Sequence, residues 1–301
     1  MIRTLTKYSS LPLLLLLAFT FTSCLDSTNS TEPRDNLLET AKEVTQGPDG
    51  DKVLTNFVEL LEETDLDTTV AKGGPFTAII PVNDAFNDTV DTKLDSLPPN
   101  ELYEIARYHL IGELVNLNRL KPEENKESLQ GDDLFFSIVS GTQGNRVYVN
   151  GGRLIGRVDA GNGIIYVVDK FLFQDRYLDV GGLIAKRPQL RTLNKAINDA
   201  NLGGALADPN KEFTVFAPTN KAIGEAELSG DEIQYHVIPE KLYNRDLSSG
   251  TYTTLNGQEL TIEINGGTVT INGDATIKTS DIEGTNGVVH TIDAVLEETA
   301  E

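Results

Sequence analysis

The sequence predicts an α+β protein built from two tandem copies of one domain, and three observations carry that expectation. FTVFAPTN at 213–220 has an imperfect counterpart, FTAIIPVN, at 76–83. Three further landmarks follow each copy in the same order. Tyr108 and His109 match Tyr235 and His236, VYVNG at 147–151 matches VTING at 269–273, and NGIIYVVD at 162–169 matches NGVVHTID at 286–293. Each copy also passes from apolar residues at helical spacing to short apolar runs broken by turn residues, the pattern of helices packed on strands. A repeat this long means tandem domains, since solenoid units are only about 20–45 residues.

The elements follow in chain order. Residues 1–24 read as an export signal, with Arg3 and Lys7 at the start, the apolar LPLLLLLAFTF, and small residues in FTSC. That apolar run is shorter than the roughly 20 residues a membrane span needs. Residues 25–35, LDSTNSTEPRD, form a polar tether. The first domain is placed at 36–175 and the second at 176–298. In the first, LLETAKEV and VLTNFVELLEE predict amphipathic helices, with Val53, Phe57, Leu60 and Leu61 on one stripe. PQLRTLNKAINDANL repeats the signal through Leu190, Leu193, Ile197 and Ala200.

In FTVFA, Phe213, Val215 and Ala217 lie on one side and Phe216 on the other, which predicts a strand covered on both faces. Pro218 lacks an N–H and ends it. Asn220 is predicted to cap the helix that begins with Lys221, and Asn83 the one that begins with Asp84. After the first of these caps, NDTVDTKLDSLPPNELYE is longer than its counterpart GEAELSGDE. The last third of each copy is strand and turn. In QELTIEINGGTVTING, Leu260, Ile262 and Ile264 alternate with Thr261 and Glu263, and Asn265, Gly266 and Gly267 supply a hairpin turn. NGVVHTIDAVL closes the second copy as an apolar strand.

Charge and motif content narrow the function classes. Asp and Glu number 46 against 25 Lys and Arg, a net charge of −21. That balance argues against nucleic acid, whose phosphates need clustered cations, and against electrostatic docking on anionic lipid. The three histidines form no HExxH or short-spaced cluster, and neither GxSxG nor GxxxxGK[ST] occurs. No catalytic residue, metal site or cofactor is therefore assigned. GPDGDK at 47–52 and NDAFNDTVDTKLD at 83–95 gather oxygen ligands but lack the spacing of a calcium loop.

FTVFAPTN, YHVIP at 235–239, the hairpin strands and the closing NGVVHTIDAVL together resemble the fasciclin, or FAS1, domain. The first copy departs in FTAIIPVN, in LIGELV after its Tyr-His pair, and in Tyr166 where the second copy has His290. The resemblance implies a β-sandwich-like wedge of short strands with helices packed around it. It also implies extracellular proteins of cell adhesion and matrix contact, without enzymatic activity. FTSC resembles a bacterial lipobox, with Phe21 where leucine is usual. That likeness makes Cys24 the lipidated residue and implies anchorage to an outer membrane, the partner being an extracellular protein or glycan.

In animal relatives the segment around the Tyr-His pair is associated with receptor binding, which makes Tyr108, His109, Tyr235 and His236 candidate interaction residues. A plainer reading stands beside it, because Leu102, Ile105, Ala106 and His109 share a helical face and His109 would then sit at a core edge. The alternative function is a glycan-binding accessory lipoprotein of an outer-membrane polysaccharide uptake system. Sugar platforms need aromatic rings, and the sequence has no Trp.

Overall fold

The computed structural model describes residues 35–46, 51–142 and 144–298, so Cys24, the expected export signal, the expected tether up to residue 34 and residues 47–50 of GPDGDK lie outside the described residues. The first copy runs through α1 (Leu37–Glu43), a short ladder of β1 (Thr45–Gln46) with β2 (Asp51–Lys52), α2 (Thr55–Glu63), α3 (Asp67–Lys72) and β3 (Phe76–Pro81). It continues with α4 (Asp88–Asp95), α5 (Pro99–Tyr108), β4 (Leu110–Ile111), β5 (Glu123–Glu127), β6 (Asp133–Gly141), β7 (Gly144–Val149), β8 (Gly152–Ala160) and β9 (Gly163–Val168). The second copy opens with α6 (Val180–Lys186), α7 (Arg191–Asp199), α8 (Gly203–Leu206), β10 (Phe213–Pro218), α9 (Asn220–Ile223) and α10 (Gly230–Tyr235). It closes with β11 (Val237–Ile238), β12 (Gly250–Thr253), β13 (Glu259–Asn265), β14 (Thr268–Ile271), β15 (Ala275–Gly284) and β16 (Gly287–Ile292).

Each copy builds a seven-stranded sheet in one order, β4-β3-β9-β8-β7-β6-β5 and β11-β10-β16-β15-β14-β13-β12. Within these two sheets β3 pairs parallel with β9, and β10 with β16, while the other pairings are antiparallel. Parallel neighbours need a long crossover. Here most of the domain supplies it, so the opening FTVFAPTN strand and the closing NGVVHTID strand lie side by side, one strand in from an edge of the sheet. The register slips in β8 between Leu154 and Gly156 and in β15 between Ile277 and Ile282, irregularities that bend a strand.

The folded sheet gives each domain two cores. Phe213, Val215 and Ala217 face Leu183, Leu193 and Ile197 of the helices. Phe216 and Ile292 face Leu260, Ile262 and Ile271 inside the sheet's own curve. This is the division that the alternation in FTVFA predicts. In the first copy Ala78 and Ile80 face Leu37, Phe57 and Ile105, whereas Ile79 and Tyr166 join Phe136 and Val149. The hairpin between β13 and β14 pairs Asn265 with Thr268, leaving Gly266 and Gly267 at φ 58° and 86°. Positive φ at both central positions is the requirement of a type I′ turn. The longer segment of the first copy becomes α4, whose N-terminus is capped by Asn87 through Thr89 N and Val90 N, and the proline-started α5.

The predicted caps need correction. Asn83 begins a 3-10 turn, and Asn220 is the first residue of α9, where Thr219 is the cap. Each asparagine caps the preceding long helix instead. Asn83 Oδ1 accepts from Asn56 N (3.1 Å) at the start of α2, and Asn220 Oδ1 accepts from Thr192 N (2.9 Å) at the start of α7. Their amides donate to Lys52 O (3.2 Å) and Pro188 O (2.7 Å). The physical reason is that Leu54 and Leu190 occupy the cap positions of α2 and α7 and offer no side-chain oxygen. Asn220→Ala is expected to lower stability by about 1–2 kcal/mol in urea melts, the cost of a lost cap. Asn220→Asp keeps the acceptor and loses less.

Candidate functional site

Both Tyr-His pairs end a helix, with the histidine as C-cap of α5 or α10. All four side chains are fully buried, at 0% exposure. Tyr108 Oη donates to Asp133 O (2.8 Å) and accepts from Asn150 Nδ2 (2.7 Å). Tyr235 Oη donates to Glu259 O (3.0 Å) and accepts from Asn272 Nδ2 (2.8 Å). Asn150 and Asn272, from the VYVNG and VTING landmarks, sit at φ 48° and 50°, a left-handed conformation that asparagine tolerates.

The histidines are tied in a matching way. His109 Nδ1 lies 2.9 Å from Ile105 O, and Leu172 N donates to its Nε2 at 3.3 Å. His236 Nδ1 lies 2.7 Å from Glu232 O, and Leu296 N donates to its Nε2 at 2.9 Å. A carbonyl only accepts and an amide N–H only donates, so each ring carries its proton on Nδ1 and is neutral. Burial pushes His109 down to about 4, against the pull of the Ile105 carbonyl. It lowers His236 and His290 as well. The expectation that these pairs present themselves to a partner is thus corrected. Ring and hydroxyl atoms are spent joining the end of a helix to the hairpin and to the loop that closes the domain.

A pH dependence follows. Each histidine has a folded-state value below its unfolded one of about 6.5, so the unfolded chain takes up protons first. Stability is fully present above that value and falls as pH drops below it, in the case of His109 down to about 4, by up to about 1.4 kcal/mol per pH unit for each histidine. Urea midpoints measured from pH 7.5 to 5 are expected to show this loss, and His109→Gln to flatten it.

The departures of the first copy keep the same connections. Tyr166 Oη donates to Val115 O (2.8 Å), and His290 Nε2 reaches Leu242 O (3.0 Å). Val115 N and Leu242 N are in turn bound by Thr77 Oγ1 and Thr214 Oγ1, so the two carbonyls occupy equivalent loops. Asn162 and Asn286 each brace a helix start, accepting from Leu37 N (2.7 Å) and Val180 N (2.9 Å).

One cluster escaped the sequence reading. Asp175, in the 3-10 turn that joins the copies, holds Lys186 Nζ at 2.7 Å and also binds the Arg187 guanidinium. Both cations are buried, at 3% and 6% side-chain exposure. Lys186 Nζ stands 5.0 Å from the centre of the Tyr108 ring, and the Arg187 guanidinium 5.3 Å from that of Phe135. The second domain therefore covers the Tyr-His segment of the first through cation–π contacts. Burial alone would raise the Asp175 carboxyl, but the two cations outweigh it and hold it below the usual carboxylate range. The available signal was the dipeptide Lys186-Arg187 at the end of an apolar helix, whose burial only the tertiary structure reveals.

Two domains of one topology, each fastened by the same asparagine, tyrosine and histidine bonds, define a tandem scaffold of sheet and helices. The chain belongs to the fasciclin domain family, whose model matches residues 52–174 and 188–298. It is 29% identical to transforming growth factor-beta-induced protein ig-h3 of Oryctolagus cuniculus, over 74% of this chain and 35% of that protein. It is 28% identical to periostin of Homo sapiens, over 74% of this chain and 28% of that protein. The chain thus spans about a third of the length of these animal relatives. Protein sll1483 of Synechocystis is 32% identical over 40% of this chain and 74% of its own length. In fold, the chain is similar to a FAS1 domain pair from the insect cell adhesion molecule fasciclin I. The TM-score is 0.52 at 20% identity, covering 82% of this chain and 97% of that one.

Proposed function

We propose that this protein is a non-enzymatic adhesion or protein-interaction module of a bacterial envelope, anchored to the outer membrane by lipid on Cys24. The observation that carries this reading is that the side chains shared by the two copies are spent on internal bonds. Tyr108, His109, Asn150 and Asn162, with their partners in the second copy, hold the fold. Contact is left to the surfaces that differ between copies. The likeness to a domain pair from a cell adhesion molecule supports the same reading.

The tether from 25 to 35 would span about 35 Å when extended, enough to lift the pair off a bilayer. Each acyl chain contributes about 0.8 kcal/mol per buried methylene, so two or more chains on one cysteine hold a protein durably. Two domains on one tether also raise the effective concentration of a second contact once the first is made. The test combines metabolic labelling with an alkyne fatty acid and an adhesion assay. Label lost in Cys24→Ala, together with adhesion lost on deletion and restored only by the wild-type chain, supports the proposal. An unlabelled wild-type chain, or adhesion unchanged by deletion, contradicts it.

A further inference from the structure

An open cleft of about 640 Å3 lies between β6 and β7 of the first domain and α6, α7 and α8 of the second. That volume is within the range of about 300–1,000 Å3 typical of small-molecule sites. Four cations line it, Lys170, Lys186, Arg187 and Arg191, against one carboxylate, Asp179. In a chain of net charge −21 this is a local inversion of sign.

The cations differ in what they already hold. Lys186 and Arg187 are paired with Asp175 behind the cleft wall. Lys170 and Arg191 make no ion pair or side-chain hydrogen bond among the described residues. Desolvation lowers the Lys170 ammonium below the ordinary lysine value, although Asp169 and Asp179 pull the other way. The residue still keeps solvent access. Unpaired charge beside low-dielectric walls interacts strongly with an arriving anion.

Polar and aromatic groups complete the lining. Asn194 and Asn198 stand one turn apart on the face of α7 that carries Arg191, and their amides have no partner among the described residues. Across the cleft Tyr148 of β7 is half-buried, and its hydroxyl also has no partner among them. The flanking helix starts are already occupied. Asp179 accepts from Gly182 N at 2.7 Å and Asn220 from Thr192 N at 2.9 Å. Those N–H groups are not free to cradle a phosphate, so an anion in this cleft is received by side chains.

We propose that this cleft binds a carboxylate-bearing saccharide of one or two rings. Arg191 and Lys170 receive the carboxylate, Tyr148 stacks on a ring face, and Asn194 and Asn198 bond hydroxyls. Guanidinium matches carboxylate in a two-point geometry, and an aromatic face suits the apolar side of a sugar. The site is independent of the adhesion reading and stands or falls separately.

Titration calorimetry on the full chain at low salt tests it, with digalacturonate as the probe, galactobiose as its neutral counterpart and a Glu-Glu dipeptide as a non-sugar anion. Saturable digalacturonate binding is expected, at least tenfold tighter than that of either comparison ligand. Lys170→Gln with Arg191→Gln should weaken it at least tenfold, and Tyr148→Ala several-fold. Asn198→Asp, an exposed change that adds a negative charge to the cleft, should weaken it as well. The proposal is overturned if digalacturonate binds no more tightly than galactobiose, if the dipeptide binds as tightly, or if Lys170→Gln/Arg191→Gln leaves binding unchanged.

Discussion

Asp175→Ala is expected to destabilise the protein by about 3 kcal/mol in urea melts, although it removes one partly exposed carboxylate. A buried ion pair contributes little against an apolar replacement, but removing one partner leaves the other charge desolvated, at a cost of about 3–5 kcal/mol. Here two cations are left at once. The lower end applies because a third of the Asp175 side chain meets solvent. Lys186 escapes part of the penalty by losing its proton, since desolvation already lowers it against the pull of Asp175. The deficit should therefore shrink toward alkaline pH. In the wild type the Asp175 contribution is present above the unfolded carboxyl value of about 4 and disappears as pH falls through the lower folded value. Wild type and variant should converge in acid.

Gly287→Ala is the second large effect, expected to cost about 3–5 kcal/mol and to lower the yield of folded protein. Gly287 opens β16 at φ 158°, and a Cβ there would lie 2.1 Å from Phe213 O. That atom is the backbone of the parallel neighbour, so it cannot swing aside. Overpacking costs about 1–3 kcal/mol, and backbone strain in a glycine-only region about as much again. Gly163→Ala meets Phe76 O at 2.3 Å and should share the overpacking part of the loss, about 1–3 kcal/mol, without the backbone strain. Gly266→Ala provides the contrast. It too has positive φ, but a Cβ there meets nothing within 4 Å, so the loss should be about 1–2 kcal/mol.

These two sites show why the sequence was legible in some places and opaque in others. The double-sided burial of FTVFA was readable because alternation along one strand reports which sides are covered. The Gly266-Gly267 turn was readable because its backbone requirement is local. Parallel pairing of β10 with β16 was not, since the same apolar alternation suits either direction of a neighbour. Asn220 was recognised as a cap, but its recipient at Thr192 lies 28 residues away and is brought close only by packing. The burial of Asp175, Lys186 and Arg187 was not legible, because it arises where two domains meet. For the Tyr-His pairs the helical face of ELYEIARYHL already placed His109 inward, and the family resemblance alone suggested contact.

The repeated Tyr-His pairs are interior fastenings of two FAS1 domains. Histidine side-chain NMR of the full chain tests it most directly, through 15N shifts and a titration from pH 8 to 5. His109 is expected to stay neutral with the proton on Nδ1 throughout that range, and His236 to hold the same tautomer and to take up its proton only below the ordinary imidazole value. Titration near 6.5, or rapid tautomer exchange, would place the rings in solvent and contradict the account.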